Sequence, residues 1–512
     1  MTLADLLEAL GDLVTAQAGV EEPASSRPVK AVAYDSRRST AGALFVALKG
    51  QRADGTAFAT QALSKGALAV VSESPRPDGV QAPWVTVSSG RRSLARLAAA
   101  FYGHPSRDLQ VVGITGTNGK TTTAYLVAAL FDAAGIPCGM LGTIVYRVGA
   151  EERDATRTTP EAADIQQMLR EMALHGCGAC AMEVSSHALV QHRVDDLRFA
   201  AGVFTNLTRD HLDFHRDMES YFAAKQRLFE LLPAGAPAVV NLDDPRGETL
   251  LRRDGPTVTY AVDRPADVYP TKLAHSLRGT TFVAATSAGP VRASTHLVGR
   301  PNLYNALAAI GTGLAVGLPV PAIERGLAGV EGVPGRFQVV SDAADDVTVV
   351  VDYAHTDDAL KNLLETARPL SPQRLITVFG AGGDRDRTKR PLMGAVAARL
   401  SDLVIITSDN PRGEDPAEII EEIKRGIVVP SDRARPAEPR DGQVKYTPPR
   451  TTPYIAIADR RLAIERAITL ARSGDVVLVA GKGHEKYQVI GEKELPFDDA
   501  VVSREALARR RG

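Results

Sequence analysis

The stretch Gly113–Thr123, with the sequence GITGTNGKTTT, constrains the fold more than any other feature of the chain. It follows the apolar run LQVV and precedes the amphipathic segment AYLVAALFDAAG, which predicts a buried strand, a glycine-rich loop and a helix in succession. The spacing differs from that of the common phosphate-binding loop, which has four residues between its first glycine and Gly-Lys-Thr. Two glycines still allow backbone N–H groups to turn inward onto phosphate oxygens, so the stretch predicts a nucleotide site.

Two side chains at the end of this loop suit the same chemistry. Lys120 can bridge the outer phosphates, and the hydroxyl of Thr121 can hold Mg²⁺. The alternative is a tight strand–helix turn with an incidental lysine. The complete strand, loop and helix context favours the nucleotide site over this alternative.

The length of 512 residues is too great for one core and predicts about three domains. The last third alternates apolar strands with helical segments, which is typical of a parallel, doubly wound sheet. We therefore predict an α/β protein with a smaller N-terminal α/β domain (1–106), a central P-loop-type ATPase domain with a parallel sheet (107–336), and a C-terminal Rossmann-like domain (337–512). A Pro- and Arg-rich segment at 429–453 interrupts the alternation and is interpreted as a surface extension.

The charge balance excludes several classes of protein. Lys and Arg number 60 against 61 Asp and Glu, so there is no overall basic field for nucleic acid. No unbroken apolar stretch is long enough to span a membrane, and the N-terminus carries acidic residues where a secretion signal would be basic. The pair Cys177 and Cys180 has the spacing of half a zinc site, but no second pair completes it. We expect a soluble cytoplasmic protein.

Two further motifs supply ligands for a metal. Glu183 ends the apolar run GACAME, and hard cations prefer carboxylate oxygen. His211 and Asp213 follow another predicted strand, AGVFTNL, so they can face the same crevice as Glu183. Alone, His211 would fit a packed or surface histidine better than a ligand, but the three motifs together favour a site.

Three charged loops follow strands of the last domain: GAGGDRDRTKRP, SDNPRGEDP and AGKGHEKYQ. Three solvated loops are the alternative, but loops that leave parallel strands at one edge converge on a ligand. Arg412 can grip a carboxylate with its planar fork, while Asp409 and Glu485 can receive an ammonium. With Arg390 and Asn410, these residues predict a pocket for the zwitterionic end of an amino acid.

The loop variant TGTNGKTTT resembles that of Mur ligases and folylpolyglutamate synthetases. The likeness to Mur ligases extends from AYDSRRSTAGALFVALKGQRADG to VAGKGHEKYQ, nearly the whole chain. The resemblance implies an ATP-dependent ligase of peptidoglycan precursor synthesis, which adds the third amino acid to UDP-N-acetylmuramoyl-L-alanyl-D-glutamate through an acyl phosphate. In that family Asp-Asn-Pro-Arg is the diaminopimelate motif, and this chain has it unaltered. The resemblance therefore implies meso-diaminopimelate as the amino acid added.

The resemblance also implies the site residues. Two Mg²⁺ ions are expected on Thr121, Glu183, His211 and Lys225, the last as a carbamate, and Lys120 joins the last three as catalytic. The expected ATP contacts are Gly116, Thr117, Asn118, Gly119, Lys120, Thr121, Thr122, Asn302, Asn305, Arg336, Asp352 and His355. Those for the UDP substrate are Tyr34, Ser36, Gln51, Arg52, Ala53, Thr158, Thr159, Ser185, Gln191 and Arg193. Those for diaminopimelate are Arg390, Asp409, Asn410, Pro411, Arg412, Gly481 and Glu485.

Several alternatives remain open at this point. They are a lysine-adding Mur ligase, a folylpolyglutamate synthetase-like ligase and a non-catalytic nucleotide-binding module. The chain also has Asp357 where the family usually has proline, which affects a local turn and no catalytic group. Small-molecule substrates and a monomeric state are expected.

Overall fold

The computed structural model describes residues 1–50, 53–276, 279–342, 344–370, 373–427 and 452–511. Three main sheets follow one another along the chain, and two small antiparallel sheets accompany them. The predicted α/β fold class is confirmed. Gln51, Arg52 and most of the segment 429–453 lie outside the described residues. Within the described ranges, no helix is both long enough and apolar enough to cross a membrane.

The N-terminal sheet has five strands in the order β1-β5-β4-β3-β2, parallel except for the β1–β5 pair. Its strands are β1 (Val14–Ala18), β2 (Ala31–Ala33), β3 (Ala43–Ala47), β4 (Ala69–Ser72) and β5 (Trp84–Val87). Its helices are α1 (Leu3–Leu10), α2 (Ala59–Ser64) and α3 (Gly90–Phe101). The N-terminal segment forms a helix as predicted, because Thr2 and Asp5 make a capping box at its start.

The central sheet has eight strands in the order β13-β12-β11-β6-β10-β7-β8-β9. Its strands are β6 (Gln110–Thr115), β7 (Cys138–Leu141), β8 (Val145–Val148), β9 (Glu151–Asp154), β10 (Ala179–Glu183), β11 (Phe199–Phe204), β12 (Ala238–Asn241) and β13 (Thr257–Tyr260). The strands from β13 to β7 are parallel, and β8 and β9 extend the sheet in antiparallel hairpins. Helices cover both faces, which explains why β6 and β10 are apolar over most of their length and polar only at their ends.

The helices of this part are α4 (Lys120–Ala133), α5 (Ala162–Leu174), α6 (Ser186–Val190), α7 (Met218–Glu230), α8 (Arg300–Ala315) and α9 (Val320–Ala328). A three-stranded antiparallel sheet precedes α8 and consists of β14 (Tyr269–Ser276), β15 (Gly279–Ala285) and β16 (Val291–Thr295). Its inner residues, such as Phe282 and Val291, join the core that also contains α4 and α8. The sequence interpretation did not identify this sheet.

The C-terminal sheet has the order β17-β18-β22-β19-β20-β21, and only β17 is antiparallel. Its strands are β17 (Gln338–Val339), β18 (Thr348–Asp352), β19 (Leu375–Phe379), β20 (Leu403–Ile406), β21 (Tyr454–Ala456) and β22 (Val476–Ala480), and a separate hairpin has β23 (Tyr487–Ile490) and β24 (Lys493–Pro496). Its helices are α10 (Asp357–Ala367), α11 (Lys389–Leu400), α12 (Pro416–Ile427), α13 (Arg460–Leu470) and α14 (Asp499–Arg511). Apolar clusters lie on both faces, as a doubly wound sheet requires.

Asp357 is the first residue of α10, and the Thr356 side chain caps this helix by accepting a hydrogen bond from Ala359 N at 3.2 Å. Proline is common at the first helical position, and an acidic residue is also favourable there because of the helix dipole. The departure from the family pattern therefore preserves the start of the helix.

The two junctions between the main sheets differ in character. Ala162 and Ala163 of α5 belong to the apolar cluster of the N-terminal sheet, so the first and second parts share a core. The described apolar clusters of the C-terminal sheet contain no residue from the central sheet. The C-terminal part therefore packs as a separate unit.

Candidate active site

The loop between β6 and α4 has a backbone that only glycine allows at two positions. Gly116 has φ of 148° and Gly119 has φ of 87°. A Cβ atom on Gly116 would lie 1.8 Å from Thr205 Oγ1, and one on Gly119 would lie 2.3 Å from Asn305 Oδ1. The loop therefore packs closely on β11 and α8 and leads directly into the N-terminus of α4, where backbone N–H groups favour an anion.

Lys120 and Thr121, the first two residues of α4, place a cation and a hydroxyl beside this loop. Lys120 Nζ donates to the carbonyl oxygens of Gly116 (3.0 Å) and Thr117 (2.8 Å). Burial lowers the pKa of Lys120, and the negative charge of Glu183 partly opposes that shift. Thr121 Oγ1 donates to Glu183 Oε2 at 3.0 Å.

Glu183 ends β10 beside the loop, and its side chain is 1% exposed. Thr143 donates to both carboxylate oxygens, from its backbone N to Oε1 at 2.7 Å and from its hydroxyl to Oε2 at 3.1 Å. The carboxylate of Glu183 and the hydroxyl of Thr121 are hard oxygen ligands, which fit a divalent cation such as Mg²⁺. Among the described residues no three His, Cys, Asp or Glu side chains are grouped around a metal position. A metal here therefore needs the hydroxyl as well.

Lys225 of α7 is buried on the other side of the loop, with 1% exposure. Its Nζ donates to Gly116 O at 2.6 Å and lies 4.3 Å from the centre of the Tyr221 ring. Burial lowers the pKa of Lys225 well below its usual value, and the charge of Lys120 adds to this. The amine is therefore held in a pocket that favours its neutral form.

His211 lies next to the same tyrosine. Its ring centre is 6.1 Å from that of Tyr221 and 4.9 Å from that of His187. Burial lowers the pKa of His211 to about 4, although the Asp210 carboxylate, 3.4 Å from Nε2, opposes the shift. The four predicted metal residues thus form two pairs in contact with or close to the loop: Thr121 with Glu183, and His211 with Lys225 around Tyr221.

The residues predicted to contact adenine and ribose lie in α8 and in segments that follow it along the chain. Asn305 Nδ2 donates to Asn302 Oδ1 at 3.1 Å, and both side chains are buried in α8. Arg336 Nη2 donates to Thr121 Oγ1 at 3.3 Å. Further along the chain, Asp352 accepts hydrogen bonds from two backbone N–H groups, and His355 Nδ1 lies 2.9 Å from Tyr353 O.

A crevice of about 1040 Å³ separates the central and C-terminal sheets. The central side contributes Thr143, Thr158, Asp210 and His211, and the C-terminal side contributes His355, Asp409, Asn410, Arg412, Gly481 and Glu485. Of the predicted metal residues only His211 is among the described lining residues, while Thr143 connects the crevice to Glu183 behind it. His211 and most of the predicted amino-acid pocket therefore open onto one space.

The pocket wall on the C-terminal side is built from loops that follow β20 and β22. Asn410 Nδ2 donates to Glu485 Oε2 at 2.8 Å. Arg412, with φ of 51°, pairs through its backbone with the hairpin of β23 and β24, since its N–H donates to Val489 O at 3.1 Å. Its guanidinium donates to Gly383 O at 2.9 Å, which links this loop to the one after β19.

The residues predicted for the UDP substrate form two groups. Beside Glu183, Thr159 Oγ1 donates to Glu183 O at 2.8 Å, and Arg193 Nη1 donates to Thr159 O at 2.8 Å. Ser185, Gln191 and Thr158 hydrogen-bond to members of this group or to Thr143. In the N-terminal part, Tyr34 lines a second, polar crevice of about 230 Å³ together with three arginines, Arg38, Arg153 and Arg157. Ser36 Oγ donates to Gln61 Oε1 at 2.6 Å, and Ala53 O accepts from Gly50 N at 2.9 Å.

Comparison with known proteins agrees with this arrangement. Three family models match the chain in order: Mur ligase family, catalytic domain, at 28–102; Mur ligase middle domain, at 114–313; and Mur ligase, glutamate ligase domain, at 335–483. The chain belongs to the Mur ligase family. The predicted family and its enzyme class, ATP-dependent amide ligation, are thereby confirmed.

Individual relatives of this Mur ligase cover nearly its whole length. A UDP-N-acetylmuramoyl-L-alanyl-D-glutamate--2,6-diaminopimelate ligase of Solibacter usitatus is 47% identical over 94% of this chain and 93% of its own. The protein of the same name from Geobacter metallireducens is 48% identical over 93% of this chain and 94% of its own. A solved structure of a ligase of that name matches with a TM-score of 0.67 and 33% identity over 100% of both chains.

One predicted ligand of this Mur ligase, Arg390, lies where it cannot serve as predicted. Its side chain is 0% exposed, is absent from the described crevice lining, and pairs with Glu414 and Glu422 at 2.8 Å each. Arg390 is the second residue of α11 and faces the protein interior, whereas Arg385, in the loop before it, lines the crevice. The sequence analysis named Arg390 and did not consider Arg385, which lies five residues earlier in the same charged segment.

Pro411 and Lys482 also differ from the expectation. Pro411 is not among the described residues that line the crevice, and its carbonyl instead packs on Gly383, where an added Cβ would lie 1.9 Å away. Lys482 was not predicted, yet its Nζ lies 2.9 Å from Asn410 Oδ1 and 3.0 Å from Glu485 Oε2. Its place between two glycines in GKGHE was the available signal.

Polar contacts connect the two sides of the Mur ligase crevice. Asn118 Nδ2, in the phosphate loop, donates to Asp358 Oδ2 of α10 at 3.2 Å. Arg209 Nη2 donates to Thr388 Oγ1 at 2.7 Å. The loop that carries His211 therefore contacts the loop that carries Arg385.

Proposed function

We propose that this chain joins meso-diaminopimelate to the D-glutamate of UDP-N-acetylmuramoyl-L-alanyl-D-glutamate at the expense of ATP. The observation on which the proposal depends is the crevice of about 1040 Å³, which His211 and Thr143, a hydrogen-bond partner of Glu183, line on one side and the zwitterion pocket lines on the other. The names of relatives that are 47% and 48% identical support the choice of substrates. Three buried free cysteines suit a reducing compartment, so we place the reaction in the cytoplasm.

In the first half-reaction, the γ-carboxylate of the D-glutamate attacks the γ-phosphorus of ATP, which gives an acyl phosphate and ADP. The loop N–H groups, the N-terminus of α4 and Lys120 hold the phosphates and offset their charge. Asn302, Asn305, Arg336, Asp352 and His355 are proposed to hold the nucleoside. The catalytic contribution of these residues is mainly positioning and charge stabilisation.

We propose that Thr121 and Glu183 hold one Mg²⁺, and that Glu183, His211 and a carbamate of Lys225 hold a second. Such ions, when bound, neutralise negative charge that develops on the phosphoryl oxygens. The carbamate is supported by the burial of Lys225, whose only hydrogen-bond partner among the described residues is Gly116 O. A neutral amine is the form that adds carbon dioxide, and the carbamate oxygens would replace a missing acidic ligand.

In the second half-reaction, the neutral amine of diaminopimelate attacks the acyl phosphate carbonyl, and phosphate leaves from the tetrahedral intermediate. Arg412 and Arg385 are proposed to hold the carboxylate at the far end of the amino acid, and Asp409 and Glu485 its ammonium. Lysine has a bare ammonium at that end. It would face Arg412 without a carboxylate, at a cost of about 2–5 kcal/mol for a buried site.

The UDP substrate is proposed to run from the Thr159 and Arg193 group towards the N-terminal crevice beside Tyr34. The three arginines around that crevice suit the diphosphate. The dipeptide end then reaches Glu183 and the phosphate loop. With the substrate in this orientation, its D-glutamate carboxylate would lie between the central and C-terminal sides of the crevice.

The decisive measurement is phosphate release with ATP, UDP-muramoyl dipeptide and a panel of diamino acids. We expect release that requires both the dipeptide and meso-diaminopimelate, with a much lower KM for diaminopimelate than for lysine. Preference for lysine would show a lysine-adding ligase. Release with a folate and glutamate, or no substrate-dependent release at all, would overturn the proposal.

A further inference from the structure

Lys482 is a fully buried lysine that the mechanism above does not use. It lies in the loop after β22, and its side chain is 0% exposed. Its Nζ is 2.9 Å from Asn410 Oδ1, 3.0 Å from Glu485 Oε2 and 3.6 Å from Asp409 Oδ1. One ammonium therefore contacts three of the side chains that face the amino acid.

The contact with Asn410 fixes which way its amide points. Asn410 Oδ1 accepts from both Lys482 Nζ and Val489 N, each at 2.9 Å, while Nδ2 donates to Glu485 Oε2. The oxygen is thus directed into the protein. The remaining N–H of Nδ2 is the polar group that Asn410 can offer to a ligand, and an N–H donor suits a carboxylate.

The same ammonium changes the charge of the pocket wall. Within this group of three side chains, Asp409 and Glu485 bring two negative charges, and Lys482 offsets one of them. The remaining single charge matches one ammonium group. Without Lys482, two neighbouring carboxylates would favour extra positive charge and repel the carboxylate of a zwitterion.

A further detail concerns Asp409. No hydrogen-bond donor among the described residues reaches its buried Oδ1, although Lys482 lies 3.6 Å away. Its other oxygen lies against Gly481, where an added Cβ would be 2.8 Å from Oδ2. Lys482 therefore attracts Asp409 through its charge without donating a hydrogen bond to it.

We propose that Lys482 is a positioning residue that makes the pocket selective for the zwitterionic end of an amino acid over a bare ammonium end. It does so by orienting Asn410 and by reducing the net charge of the group formed by Asp409, Glu485 and Lys482 to one negative charge. This inference rests on the proposed function and adds a specificity determinant to it. Lys482 acts through Asn410, Asp409 and Glu485, and does not itself contact the substrate.

The test compares Lys482→Met, which removes the donor and the charge, with Lys482→Gln, which keeps a donor but removes the charge. We expect Lys482→Met to raise the KM for diaminopimelate about 10- to 100-fold, the range for loss of a charge-assisted hydrogen bond. The KM values for ATP and UDP-muramoyl dipeptide should stay within about twofold, and the ratio of lysine to diaminopimelate turnover should rise. Compared with Lys482→Met, Lys482→Gln should lower the KM for diaminopimelate part of the way to the wild-type value but restore little of the preference for diaminopimelate over lysine. Lys482→Arg, which keeps the charge, should restore part of that preference.

The control is Lys493→Met, which removes an exposed lysine of the neighbouring hairpin and should leave every constant unchanged. The wild-type chain is assayed first, because absence of diaminopimelate-dependent release there would overturn the proposed function itself. If the wild type is active and Lys482→Met keeps its KM and its selectivity, Lys482 has no such role. If Lys482→Met does not fold, Lys482→Gln decides: unchanged selectivity in that variant overturns the proposal.

Discussion

The two sides of the crevice are built in different ways. The phosphate side is one continuous stretch, Gly116 to Thr121, whose shape follows from two glycines and the start of a helix. The amino-acid side is assembled from loops after β19, β20 and β22, which buried charges hold together. A continuous loop can be recognised from its own residues, whereas an assembled pocket depends on which side chains the packing turns inward.

The largest expected effect is on the phosphate side. Replacement of Lys225 by alanine should lower kcat about 1000-fold, because it removes the proposed anionic ligand of the second metal. Addition of formate or acetate should restore part of the activity by supplying a carboxylate in the vacated volume. Steady-state phosphate release measures both effects. The exposed Lys361→Ala variant is the control, and full activity of the Lys225→Ala enzyme would remove the carbamate from the mechanism.

On the amino-acid side, the expected effect of Arg390→Met is on stability. This change removes the buried cation between Glu414 and Glu422 and leaves them only the surface guanidinium of Arg387, which costs about 3 kcal/mol. Urea denaturation of the wild-type and variant chains measures the loss. Arg387, which contacts the same two carboxylates from the surface, serves as the matched control, since Arg387→Met should cost less than about 1 kcal/mol. Equal costs in the two variants would show that the buried cation does not hold the loops together.

Arg412→Lys should have a smaller and more selective effect. Lysine retains the charge but loses the planar fork, so the KM for diaminopimelate should rise about tenfold while the KM for ATP is unchanged. Initial-rate kinetics with each substrate varied in turn separate the two constants. Arg399→Lys, on the exposed side of α11, is the control. A change confined to the KM for ATP would show that Arg412 acts on nucleotide binding and not on binding of the amino acid.

The smallest expected effect is a pH dependence of stability at the boundary between the two sides. Burial lowers the pKa of His484 from 6.5 to about 3, and the charge of Arg336 contributes. As pH falls below 6.5 the unfolded chain takes up a proton that the folded chain refuses, so the free energy of unfolding decreases between pH 6.5 and 3. His484→Phe, which can stack on Tyr353 without titrating, should reduce this decrease by about 1 kcal/mol between about pH 6.5 and 5.5 in urea denaturation. Identical dependence of the unfolding free energy on pH in the wild-type and His484→Phe chains would contradict the lowered pKa of His484.

The sequence predicted what depends on local pattern. The strand–loop–helix at Gly113–Thr123 and the parallel C-terminal strands formed as expected, because apolar runs and glycine turns specify them without distant partners. The antiparallel sheet of β14 to β16 was missed, because β14 is mostly exposed and only alternate residues of β15 and β16 are buried, so no continuous apolar run marks them. In the pocket, Arg390 was predicted and Arg385 was not, since the sequence does not show that α11 begins at Lys389 and turns Arg390 into the interior. Lys482 was missed because its partners lie 72 residues away or in the adjacent turn.

The two junctions described for the main sheets have a mechanical consequence. The N-terminal part shares an apolar core with the central one, so separating them would expose hydrocarbon to water. Asn118 with Asp358 and Arg209 with Thr388 exchange readily for water, at a net cost of about 1 kcal/mol each. We therefore expect the C-terminal part to rotate relative to the other two about a hinge at residues 334–337. This rotation would admit substrates and release products while both packed interiors stay intact.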